Sequence, residues 1–128
     1  MRRDVVILAC AISAGIHGAL APEHFAEGLG AGVGFVAATV ALAAVALAVT
    51  LRPASAPALI AAAALFAGLL ASYALAITTG LPVLHPESEP VTGLALATKA
   101  IEAVGLFAAW GLIRRPSLAV HIPHLKGT

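Results

Sequence analysis

The chain has 128 residues, of which 61% are hydrophobic and only 10% charged, with a formal net charge of +1. Its mean hydropathy is +1.03. A soluble domain is about 45–50% apolar and about 25% charged, and a chain this short leaves roughly a third of its surface wet even when folded. Composition therefore excludes a soluble globular domain and a disordered chain, and the near-balanced charge excludes a nucleic-acid binder. An integral membrane protein remains, with the lipid bilayer of a cell membrane as its first partner.

A helix crosses the hydrocarbon layer in about 20 mostly apolar residues. Four stretches qualify: about Val5–Ala21, Leu29–Leu51, Pro57–Thr79 and Val91–Ile113, with a tail from 114 to 128. Runs such as Ala37-Ala38-Thr39-Val40-Ala41 lack the two-residue alternation of a membrane barrel. The expected fold is an all-α, four-helix transmembrane bundle forming one domain over residues 1–128, without an internal repeat.

The breaks follow turn chemistry. Pro22, with Glu23 and Glu27 behind it, reads as a reversal that opens the second helical segment. Arg52-Pro53-Ala54-Ser55-Ala56-Pro57 separates the second and third spans, with Pro57 suited to a first helical turn. Gly80-Leu81-Pro82 closes the third span, and His85-Pro86-Glu87-Ser88-Glu89-Pro90 leads into the fourth.

Orientation follows from the basic residues. Arg2, Arg3, Arg52, Arg114, Arg115 and Lys126 fall on one side of four alternating spans, and Glu23, Glu27, Glu87 and Glu89 on the other, with His24 and His85. The positive-inside rule then places both termini in the cytoplasm. Met1-Arg2-Arg3, an apolar run and Ala19-Leu20-Ala21 also outline a cleavable signal peptide. Proline directly after that cut, and Ser13 and His17 within the run, weigh against cleavage.

Small residues mark packing seams: Gly30 and Gly34 in span two, and Gly68, Ser72 and Ala76 in span three. Such seams read as contacts within a tightly packed bundle; a second copy or a larger membrane complex is the further partner expected. Tyr73, Trp110 and Phe25 are too few for an aromatic pocket, and Trp110 reads as an interfacial anchor. Cys10 reads as a small buried hydrophobe.

Span four carries the most informative residues. Ala95, Thr98, Lys99, Glu102, Gly105 and Ala109 share one small, polar stripe, so Glu102 should face the bundle and pair with Lys99 three residues before it. On span one, Cys10, Ser13, Ala14, His17 and Ala21 share a face. Counting from the outer end at Ala21 sets Cys10 at the depth of Glu102 and Ser13 at that of Lys99. Should spans one and four be neighbours, His17, Ser13, Thr98, Lys99 and Glu102 line a polar track opening outward.

A second constellation lies outside. His17, Glu23, His24 and Glu27 fall within eleven residues, and imidazole with carboxylate suits a divalent transition metal. His17 and His24 can share an ion only if the chain reverses at Pro22. Haem is not expected, since His17 is the one histidine inside a span. His121 and His124 read as tail residues. The two functional expectations are an outward-facing metal or proton site, serving transport, sensing or metal delivery, and a non-catalytic accessory subunit of a larger membrane complex. No nucleophile and base sit within reach to suggest an enzyme.

Overall fold

The computed structural model describes residues 1–82 and 86–114. They form four helices, α1 Arg2–Glu27, α2 Leu29–Leu51, α3 Ala56–Thr78 and α4 Gly93–Ile113. All four are long and apolar enough to cross a membrane. The fold is all-helical, and the protein is a multi-pass membrane protein. Expected metal-site residues and the intramembrane pair all lie within the described residues; His85, His121, His124, Arg115 and Lys126 lie outside them.

Helix starts are capped by side chains. Ser55 Oγ accepts the Ala58 N–H at 3.3 Å, with Pro57 in the first turn of α3, and Thr92 Oγ1 accepts the Ala95 N–H at 3.2 Å at the start of α4. Helix α3 stops at Thr79 because Gly80 takes φ 72, a left-handed conformation that glycine adopts without a Cβ penalty. The following connection folds back, the Glu89 N–H donating to the Ala76 carbonyl at 2.9 Å.

Consecutive helices are neighbours, and α4 returns to pack against α1, giving an up-and-down bundle. The α1–α4 register is read from three contacts. Arg2 reaches the Gly111 carbonyl at 3.4 Å, Ala9 faces Gly105, and Ser13 meets Glu102. Residue numbers rise on one helix as they fall on the other, as antiparallel packing requires. Ser13 therefore lies opposite Glu102, one turn from the expected register against Lys99.

No reversal occurs at Pro22. Helix α1 runs through it to Glu27, and Gly28 alone separates α1 from α2. A proline inside a helix removes one hydrogen bond and crowds the carbonyl four residues earlier, here that of Gly18. Tertiary contacts carry the helix past that loss. The Phe25 ring lies directly on Gly32, where a Cβ would collide with it, and the His24 ring stacks on Phe35 at a centroid distance of 3.5 Å.

The core is built from small residues and a few large ones, with Val6, Cys10, Leu42, Val49 and Phe66 fully buried. A close approach between helices is at Gly105, where a methyl group would come within 2.6 Å of the Phe66 ring and 2.8 Å of the Ala9 side chain. In the third-span seam Ala76 is buried, but Gly68 and Ser72 are exposed and a methyl at Gly68 would touch nothing within 4 Å. Apart from Asp4, which lies beside Arg2 and Arg3, the described end charges segregate. Arg2, Arg3, Arg52 and Arg114 lie at one end, and Glu23, Glu27, Glu87 and Glu89 with His24 at the other. At the basic end the Arg114 guanidinium sits 4.6 Å over the exposed Trp110 ring, in keeping with an anchor.

Candidate functional site

Glu102 is the centre of the polar core. Its relative exposure is 0%, against an exposed Val104 and Phe107 on the opposite face of α4. The buried residues of α4 are Thr98, Glu102, Gly105 and Ala109, four of the six in the expected stripe, with Ala95 and Lys99 half-buried beside them. Those of α1 include Cys10, Ser13, Ala14, His17 and Ala21, the whole of the expected face. Two narrow faces, each the least apolar of its helix, are thus turned toward each other.

The carboxylate is held from both sides. Lys99 Nζ donates to Oε2 at 2.7 Å, and Ser13 Oγ donates from α1 to Oε1 at 2.7 Å. Distances this short mark charge-assisted bonds. His17 Nε2 stands 4.0 Å from the same Oε1. The other ring nitrogen, Nδ1, is 2.9 Å from the Ser13 carbonyl oxygen. A carbonyl only accepts, so Nδ1 carries the hydrogen, and in the neutral ring Nε2 offers its lone pair toward the carboxyl. Ser13 Oγ also lies 3.4 Å from His17 Nδ1. Carboxylate, hydroxyl, imidazole and ammonium thus form one connected group across α1 and α4. Thr98 is buried on the same stripe but bonds its own helix, donating to the Leu94 carbonyl at 2.8 Å.

The acidic end repeats part of this pattern one heptad along α1. His24 Nδ1 donates to the Leu20 carbonyl at 2.9 Å, and its Nε2 faces Glu27 Oε2 at 3.9 Å. Glu23 is exposed on the same last turns. Phe35 of α2 lies between the two imidazoles, stacked on His24 and 5.2 Å from the His17 centroid.

The structure brings Lys99 and Glu102 together with Ser13 and His17, and pairs His24 with Glu27. It does not gather His17, Glu23, His24 and Glu27. Seven residues on an unbroken helix separate the two imidazoles by about 10 Å along its axis, whereas metal–nitrogen bonds are about 2 Å. Among the described residues no three His, Cys, Asp or Glu side chains group closely enough to hold an ion.

Two site residues come from helices whose sequence gave no indication of them. Phe35 separates the histidines, and the Tyr73 ring of α3 lies against Lys99, with Nζ 5.5 Å from its centroid. Helices α2 and α3 are apolar all round, so no polar stripe marks which aromatic faces inward. No protein-family model, no curated protein and no solved structure matches the chain.

Proposed function

We propose that this is a small multi-pass protein of the cell membrane that takes up and releases protons at Glu102, reached from the outer side, in a transport or sensing role. The observation that carries the reading is the convergence of Ser13, His17 and Lys99 on one fully buried carboxylate. Ionisable groups at membrane depth are costly, and they gather where protons or ions move. A pair that served only to lower the cost of insertion would need Lys99 and Glu102 alone. Here a second helix adds a hydroxyl and an imidazole, the group whose charge changes near neutral pH. The segregation of Arg2, Arg3, Arg52 and Arg114 at one end supports cytoplasmic termini and an outward-facing acidic end. A metal-delivery role draws no support from the geometry, because it rests on a reversal at Pro22 that α1 does not make.

Reconstitution in liposomes loaded with a pH-sensitive dye tests the reading. The wild-type protein is expected to carry a proton flux down an imposed gradient, and Glu102→Gln, which keeps the hydrogen-bonding shape but not the titration, to abolish it. Equal fluxes in the two would overturn the reading. The accessory-subunit reading is favoured by one observation, the open seam between α2 and α3 lined by Gly34, Ala38, Ala41, Ala64, Gly68 and Ser72. A partner helix resting there would make the protein part of a larger assembly after gentle solubilisation; a monodisperse monomer would count against it.

A further inference from the structure

Glu102 has no accessible surface, and neither has Ser13 beside it. A carboxylate sealed in this way cannot trade protons with water directly; each proton must pass through a group that touches it. Among the described residues three groups do, Lys99 at Oε2 and Ser13 and His17 at Oε1. The Lys99 side chain is 15% exposed, but an ammonium already holds its full set of protons and has no lone pair to accept another. The Ser13 hydroxyl is sealed, and beyond Glu102 its described side-chain contact is His17, with Oγ 3.4 Å from Nδ1. The imidazole remains. His17 keeps 7% of its surface exposed and stands one turn of α1 nearer the acidic end than Ser13.

The way the ring is held suits a carrier. Nδ1 donates to the Ser13 carbonyl at 2.9 Å, so this nitrogen is spent and the tautomer is set. Nε2 is left as the basic nitrogen, and it stands 4.0 Å from Oε1 of Glu102. Proton transfer takes place across about 2.6–3.2 Å between heavy atoms, so a ring movement of about 1 Å closes the gap. Once Nε2 is protonated, imidazolium and carboxylate attract each other, which favours that approach.

Resting on the proton reading above, we propose that His17 is the proton carrier of the site: Nε2 takes up a proton arriving from the acidic end and hands it to Oε1 of Glu102. In the first step an N–H bond forms and the ring becomes a cation. In the second that bond breaks, an O–H bond forms on Glu102, and the ring returns to neutrality while Lys99 keeps its charge. Release runs the same steps backwards. The charged and titratable groups acting on the ring are Glu102 and Lys99 from α4 and His24 farther along α1, with the Ser13 hydroxyl beside it; α2 contributes the apolar Phe35.

The test is the rate at which the Glu102 carboxyl band appears in the infrared after an acid jump on the nanodisc-embedded full chain, with Glu102→Gln identifying the band. His17→Asn keeps a donor for the Ser13 carbonyl but takes up no proton, and His17→Ala opens room for a free ring. In both variants the band is expected to reach its equilibrium amplitude on the order of a hundredfold more slowly than in the wild type, the lower end of what a placed acid–base group supplies. Added imidazole is expected to restore the rate in His17→Ala in proportion to its concentration. Pyrazole, of the same size but too weak a base to carry a proton near neutral pH, is expected to restore nothing. A wild-type rate in both variants would overturn the carrier and leave the proton reading intact. Slow variants that respond to neither ring, or to both alike, would also overturn it, because His17 would then only hold the helices in place. A Glu102 band silent at every pH in the wild type would overturn both readings.

Discussion

Replacing Glu102 by leucine removes a fully buried carboxylate and leaves two groups behind. The Lys99 ammonium loses its 2.7 Å partner at 15% exposure, and the buried Ser13 hydroxyl loses its acceptor at 2.7 Å. Removing one member of a buried pair costs on the order of 3–5 kcal/mol, and an interhelical hydrogen bond in a membrane adds about 0.6–1.7 kcal/mol. The single change should therefore destabilise by about 4–7 kcal/mol. Replacing Lys99 and Glu102 together by methionine and leucine leaves only the hydroxyl behind, which Ser13 can turn back onto its own helix, and should cost about 1–2 kcal/mol. The double variant is thus expected to be the more stable by at least about 2 kcal/mol. Reversible unfolding in mixed detergent, read by far-ultraviolet circular dichroism, measures both. A Glu102→Leu protein as stable as the double variant would refute the reasoning, since the lysine would then not depend on its carboxylate.

Three further outcomes follow from the packing. Gly105→Ala forces a methyl against the buried Phe66 ring and Ala9 and should cost about 1–3 kcal/mol in the same assay. Gly32→Ala drives a methyl into the root of the Phe25 ring, displaces the contact that carries α1 past Pro22, and should cost about 1–3 kcal/mol. Gly80→Ala places a Cβ at φ 72 and should cost about 1 kcal/mol, with fraying of the last turn of α3 visible by hydrogen exchange. A cysteine placed at Ser88, in a variant whose Cys10 is alanine, should react with an impermeant reagent on intact cells; labelling only after lysis would reverse the orientation.

Much of this architecture is legible in the residues, for reasons that also mark where legibility ends. The bounds of α2 are those its apolar run predicts, Leu29–Leu51, because Gly28 and Arg52 flank it. The inward faces of α1 and α4 follow from stripes that are polar or small on otherwise apolar helices, and so does the Lys99–Glu102 pair. Helix α1 exceeds its apolar run by three residues at its start and six at its end, because hydropathy reports where lipid ends and not where the helix ends. What carries α1 past Pro22 is the seating of Phe25 on Gly32 and of His24 on Phe35, contacts with another helix that no local pattern encodes. Phe35 and Tyr73 were not legible as site residues, since on uniformly apolar helices nothing local fixes rotation about the axis.

On the function proposed above, Glu102 exchanges protons with the outer side of the membrane. The measurement that tests it most directly is the Glu102 carboxyl band followed by time-resolved infrared spectroscopy after an acid jump on one face of oriented vesicles. The protonated band is expected to rise promptly when acid reaches the face bearing Glu23, Glu27 and Glu89, to rise slowly or not at all from the arginine-bearing face, and to be absent in Glu102→Gln. A band that stays still under acid from the acidic face, or answers equally from both faces, would contradict it.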